Sequence, residues 1–246
     1  MAPAVDLYLI GFGVGDSLQI TVESQRALTR AGRAYALALP PNLDRYLRGL
    51  GIAVVNLDET LRSAQSFEDG YLAVAAVVLR KVHEDPPIAL LSPGNPLLSN
   101  AIARFILIKA RERGLHVQVL AGVSPIDVAV SLTGLDVGTF GLQVFDARRA
   151  VARNQLINPA VPLLLLQLAG VGVERPGDDP IERASAYSGL VSFLAKVYPL
   201  QHPATHLGWT RENGFVAQTF PLESLPERSA DVRDQSTLFI DRVAPR

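Results

Sequence analysis

With 246 residues, 48% hydrophobic and 19% charged, the chain carries enough apolar surface for one large or two modest cores and is not a disordered segment. A net charge of −1 excludes a general attraction to polyanions, and the local basic group Arg148, Arg149 and Arg153 reads as a solvated helix face rather than a nucleic-acid surface. The absence of cysteine excludes disulfides, thiolate metal ligation and a cysteine nucleophile.

The N-terminal stretch shows no basic segment leading into a long apolar one. The longest apolar run, Val161–Gly172, is shorter than the ~20 residues a membrane-spanning helix needs. A soluble, cytoplasmic protein with no membrane or nucleic-acid partner is therefore expected.

In chain order, Val5–Ile10 predicts a first strand, and Gly11-Phe12-Gly13-Val14-Gly15-Asp16 follows as a glycine loop. A helix carrying Ile20, Val22, Leu28 and Ala31 runs up to Gly32. Ala34–Leu39 predicts a second strand, Asn42–Leu50 a short helix stopped by Gly51, and Ile52–Leu57 a third strand. Asp58–Gly70 is polar and broken, which predicts a loop or lid, and Tyr71–Val82 has helical periodicity.

The stretch Ile88–Val130 organises the rest. Its apolar strand (Ile88–Leu91) meets the loop Ser92-Pro93-Gly94-Asn95-Pro96, and a helix runs Ser99–Arg113. A strand (Val117–Leu120), the turn Gly122-Val123-Ser124 and a helix to Leu132 come next. Apolar strand, small-residue loop and helix is the pattern of a ligand site at the carboxyl ends of parallel strands. Five strands alternating with helices predict an α/β layer on a largely parallel sheet.

The second half predicts strands near Leu142–Phe145, Leu163–Gln167, His206–Thr210, Phe215–Phe220 and Thr237–Arg242, with one long helix near Ile181–Val197. Asn213-Gly214 signals a hairpin, and few interposed helices predict a mixed sheet. The expected division is residues 1–120 and 121–246, with a cleft between the halves.

The first glycine loop has two readings, a tight turn or close backbone approach to a ligand. It is not a dinucleotide fingerprint, because Asp16 stands at the third glycine and strand two ends Leu37-Ala38-Leu39 without an acid. His83, His116, His202 and His206 are scattered, so no metal site is expected, and no Gly-x-Ser-x-Gly elbow supports a hydrolase.

Taken together, Gly-x-Gly-x-Gly-Asp, Gly94-Asn95-Pro96 and Gly122-Val123-Ser124 make the chain resemble the tetrapyrrole (corrin/porphyrin) methylases from about Leu7 to Ile240. The family usually has G-x-G-P-G-D, G-D-P and P-G-V-S. This chain has Val14, Asn95 and Ala121 at the first proline, the aspartate and the last proline.

Within that superfamily the chain is more similar to the borosin peptide backbone N-methyltransferases. Gly94-Asn95-Pro96 stands at their Gly-His-Pro, and Asp127 follows Gly122-Val123-Ser124 as in their G-V-S-A-E-D. Gly141–Ala147, Leu163–Gly170 and Ser236–Ile240 look like three of their strands.

The resemblance implies a two-domain α/β fold, a parallel-sheet first domain and mixed-sheet second domain, and S-adenosylmethionine (SAM) as methyl donor. It implies SAM contacts at Pro93, Asn95, Leu98, Ser99, Ser124, Pro125, Gln167, Leu207, Gly208, Ser236 and Thr237. It implies a homodimer as well. No precursor segment follows before Pro245-Arg246, so the peptide acceptor is expected on a separate chain.

Against the borosin pattern R-Y-D-T-Y the chain reads Phe67-Glu68-Asp69-Gly70-Tyr71. Tyr71 and Asp69 are the catalytic candidates, the tyrosine as acid, base or hydrogen-bond donor and the aspartate as its holder. A half-buried tyrosine opening a helix is the alternative reading of Tyr71. Phe67 stands at the arginine position, so Arg62 or Arg45 is the candidate substitute cation. Alternatives to peptide N-methylation are C-methylation of a tetrapyrrole or another small molecule, and a homologue that binds SAM or peptide without turnover.

Overall fold

β1 (Leu7–Gly11) and β4 (Ile88–Ser92) are buried along their whole length. That is what a central strand in a parallel sheet requires, since helices cover both its faces. The computed structural model describes residues 4–16, 18–176, 183–233 and 235–243. β2 (Arg33–Ala36), β3 (Val54–Asn56) and β5 (Val117–Leu120) complete an all-parallel sheet in the order β3-β2-β4-β1-β5.

The two-residue period of the strands sorts the core. Leu7, Leu9, Ile88 and Leu90 face helices α4 (Phe67–Glu84) and α5 (Ala101–Glu112), meeting Val74, Val78, Ile102 and Ile106. Tyr8, Ile10, Ala89 and Leu91 face α1 (Val22–Arg30) and α2 (Pro41–Gly49), meeting Ala27, Leu28, Leu43 and Leu47.

Asp58–Gly70 is not the loop expected from its polarity. It holds α3 (Asp58–Arg62) and the first turn of α4. Ser66 starts α4: its hydroxyl accepts from the Asp69 N–H at 3.1 Å and donates to the Asp69 carboxylate at 2.7 Å. The first bond is an N-cap, and the second ties the Asp69 carboxylate to the capping hydroxyl. Gly70 lets α3 lie against α4, because a Cβ there would stand 2.8 Å from Leu61 Cδ1.

The second sheet has the order β6-β7-β10-β8-β9, built from β6 (Gln143–Asp146), β7 (Leu163–Leu166), β8 (Pro203–Thr210), β9 (Gly214–Pro221) and β10 (Thr237–Ile240). Only β6 and β7 pair in parallel; the other pairs are antiparallel. Asn213-Gly214 turns the β8–β9 hairpin, with Gly214 at φ +68°. α6 (Pro125–Thr133), α7 (Val137–Phe140), α8 (Ala147–Ala152) and α9 (Arg183–Leu194) accompany this sheet. Arg148 and Arg149 fall on α8 and are half-buried rather than fully solvated.

Two compact units result: Met1–Ser124 with Glu174–Gly177, and Pro125–Val173 with Asp178–Arg246. Among the described residues no helix is long and apolar enough to cross a membrane.

In the second unit's core, Tyr187 donates to the Leu168 carbonyl at 3.2 Å, whereas the buried Tyr198 hydroxyl has no partner among the described residues. Burial pushes the Tyr198 phenol up to about 12. An unpaired buried hydroxyl costs about 1–3 kcal/mol. Tyr198→Phe is therefore expected to keep or raise the thermal melting temperature, and a drop of several degrees would show a partner for that hydroxyl.

Candidate ligand site at the strand ends

In the parallel sheet β4, β1 and β5 lie side by side with their carboxyl ends together. In α/β sheets ligands bind outside the carboxyl ends of the strands. Three glycines meet at these ends. A Cβ on Gly11 would lie 2.1 Å from the Gly94 carbonyl oxygen and 2.6 Å from the Gly122 nitrogen. One on Gly122 would lie 2.6 Å from both the Gly11 and Gly94 oxygens. Main chain therefore touches main chain at the three strand ends, with no side chain between them.

Hydrogen bonds fix this arrangement. Gly94 N–H donates to the Gly13 carbonyl at 2.8 Å and Phe12 N–H to Ser92 at 3.1 Å. Gly94 takes φ +64°, open to glycine at no steric cost. Asp16, the acid of the glycine loop, serves α2: both its carboxylate oxygens accept from the Asn42 N–H, at 3.0 and 3.1 Å. Pro40, the N-cap residue of α2, supplies no side-chain bond, so Asp16 does the capping from a distant loop.

Pro93, Asn95, Leu98 and Ser99 are brought together in the β4–α5 connection, all half-buried. Asn95 folds it, its side chain accepting from Leu97 N–H at 3.0 Å and its carbonyl from Leu98 N–H at 3.0 Å. Ser99 is held at φ +51°, a left-handed conformation that costs a non-glycine residue energy and clusters at ligand sites. Ser124, buried, ends this unit; Pro125 opens α6 in the other.

In the second unit one end of the sheet gathers Gln167, Leu207, Gly208, Ser236 and Thr237. Thr237 is in register with Leu207, and Leu168 N–H donates to the Ser236 carbonyl at 3.1 Å. Gln167 is exposed, at φ +59° and ψ +41°, where β7 gives way to a single 3₁₀ turn. Gly208 leaves room for a neighbour, since a Cβ would sit 3.2 Å from His206 Cε1.

His206 is the residue the sequence pattern missed. It is buried, and its Nε2 lies 2.9 Å from the Ser236 hydroxyl, which also accepts from Arg233 N–H at 2.9 Å. Its Nδ1 has no partner. A lone histidine on a strand gives no spacing signal, and Ser236 is 30 positions away. Burial pushes the imidazole below its ordinary value; the Asp231 charge opposes this and Arg233 adds to it.

The catalytic candidates do not assemble as expected. The Asp69 carboxylate is exposed and bonded to Ser66, so it does not hold Tyr71. Tyr71 is half-buried, its ring 6.0 Å from that of Phe67, and its hydroxyl has no hydrogen-bond partner among the described residues. Arg62 is exposed on α3 without an ion pair; Arg45 donates to the Asn42 side chain at 3.1 Å. No group of three acids and histidines among the described residues is placed to hold a metal ion.

The profile of the Tetrapyrrole (Corrin/Porphyrin) Methylases matches residues 6–214. The chain belongs to the tetrapyrrole methylase family. Among related proteins of the family, a methyltransferase/ribosomally synthesized type I borosin cyclic peptide precursor of Gymnopilus junonius is 25% identical over 204 residues, covering 82% of this chain and 48% of that protein. Diphthine synthase of Halorubrum lacusprofundi is 31% identical over 141 residues, 55% of this chain and 49% of that protein. The chain thus spans about half the length of these relatives. Among solved structures, uroporphyrin-III-C-methyltransferase from Thermus thermophilus shares the fold with a TM-score of 0.67 at 20% identity, over 96% of this chain and 91% of that one.

Two outcomes check this geometry. Gly11→Ala is expected to destabilise the first unit at or beyond the upper end of the about 1–3 kcal/mol typical of overpacking, read by urea unfolding; a cost below that range would show that the strand ends separate freely. For His206, the unfolded chain binds the extra proton below about pH 6.5, so stability falls as pH drops through that value toward the lowered folded one. His206→Gln is expected to flatten that slope, and equal slopes in both proteins would contradict it.

Proposed function

We propose that this chain transfers methyl groups from SAM to backbone amide nitrogens of a peptide. The observation that carries the reading is the main-chain meeting of Gly11, Gly94 and Gly122 at the strand ends, in a chain of this family that a borosin relative matches over 82% of its length. One solved relative of the fold, uroporphyrin-III C-methyltransferase from Thermus thermophilus, is complexed with S-adenyl homocysteine.

The residues present fit that donor. Carboxylate and ribose need amides and hydroxyls, adenine needs an apolar slot, and a sulfonium needs no nearby cation. Pro93, Asn95, Leu98, Ser99, Ser124, Pro125, Gln167, Leu207, Gly208, Ser236 and Thr237 are the proposed contacts. When bound, SAM supplies an electrophilic methyl whose departing sulfur keeps the electron pair. The chain's share is to hold donor and amide in line and keep water out, which accounts for much of the acceleration in such transfers. Tyr71, its hydroxyl unpaired among the described residues, is assigned to bond the acceptor amide and to pass the proton its nitrogen loses on to solvent. Asp69, tied to Ser66, is assigned to setting the start of α4 and thereby the place of Tyr71. The acceptor is assigned to a separate peptide, which addition in trans tests, and the chain to a homodimer.

A second reading, binding of donor and peptide without turnover, is favoured by Phe67 at the arginine position of the borosin pattern. Incubation with SAM and candidate peptides, followed by mass spectrometry, separates the two. Methylated peptide is the expected result, and Tyr71→Phe is expected to slow it by about 10²-fold. An unchanged rate would remove Tyr71 from the mechanism. Heat on titration with S-adenosylhomocysteine but no product would support the second reading, and methylation of a tetrapyrrole alone would replace the acceptor.

A further inference from the structure

A recess of about 280 Å³ lies on the other face of β1's neighbourhood, between α1 and β5 in the first unit. Tyr8 and Gln118 stand side by side in its floor, in register across β1 and β5. Glu23, Arg26 and Arg30 form its wall. They are spaced three and four apart, one stripe of a helix. The buried stripe of α1 is Ser24, Ala27 and Leu28; the Glu23, Arg26 and Arg30 stripe is exposed and borders the recess.

Those guanidiniums have no carboxylate within ion-pairing distance among the described residues, although Arg33 nearby pairs with Asp85 and Arg48 with Asp44. At i and i+4 they also repel each other. Tyr8 is only 5% exposed, yet its hydroxyl has no hydrogen-bond partner among the described residues. Among described residues the buried side-chain atoms sealed from solvent without a partner are His116 Nδ1, Tyr198 Oη and His206 Nδ1. The Tyr8 hydroxyl is not one of them, so it opens into the recess it lines.

Two guanidiniums, a phenol and a side-chain amide converging on one recess form a donor set for a planar or tetrahedral oxyanion. Glu23 supplies one acceptor for a hydroxyl of the same molecule. We propose that this recess binds a small molecule carrying a phosphate or carboxylate group, at a site separate from the glycines at the strand ends. Its size, just below the usual range of ligand pockets, limits the occupant to a small metabolite.

Calorimetric titration of the whole chain at low ionic strength tests this, with inorganic phosphate in one arm and succinate in the other. One-to-one binding tighter than about 10 mM is expected in at least one arm. Phosphate alone would assign a phosphate group, succinate alone a carboxylate, and both an unselective oxyanion site. Arg26→Gln with Arg30→Gln, on an exposed helix face, is expected to weaken it at least about tenfold, and Tyr8→Phe about threefold. S-adenosylhomocysteine binding is expected to be unchanged in the double arginine variant. Failure of both anions to bind, or binding untouched by the arginine substitutions, would overturn the proposal.

Discussion

The structure depends on three strand ends meeting through main chain alone. Gly11, Gly94 and Gly122 come so close that a methyl group on Gly11 or Gly122 would overlap a backbone atom of a neighbour. That approach does two things at once. It lets β1, β4 and β5 end together, and it packs the backbone of one strand end on that of the next with no side chain between them. The surrounding bonds, Gly94 to Gly13 and Phe12 to Ser92, hold the loops against each other. Asp16 extends the same control outward by fixing the start of α2.

The second unit reaches a comparable result by other means. Its strand ends carry a left-handed Gln167, a glycine at 208 that accommodates His206, and the Ser236 hydroxyl shared by His206 and Arg233. Strained and incompletely paired groups persist only where the surrounding fold over-determines them. Leu163–Leu166, buried throughout between β6 and β10, supply that rigidity.

Much of this was legible in the residues. Continuous apolar runs at β1 and β4, glycines at their ends and Asn213-Gly214 gave the two sheets and the hairpin. The polarity of Asp58–Gly70 misled, because α3 has no buried residue and the Ser66–Asp69 cap resembles loop composition. The mutual contact of the three glycines was not legible, since it joins positions far apart in the chain. The same holds for His206 with Ser236, and for Tyr8 beside Gln118, where strand register decides who meets whom. The pairing of Asp69 with Tyr71 failed for a local reason: two residues apart on a helix, side chains point away from one another.

The main-chain meeting of the three glycines at the strand ends is the feature on which the catalytic interpretation stands or falls. The most direct measurement is a crystal structure grown with S-adenosylhomocysteine. The account predicts the nucleoside-amino acid lying against the backbone of residues 93–95 and the Gly122 turn. Electron density for it elsewhere, with those glycines facing only solvent, would contradict the account.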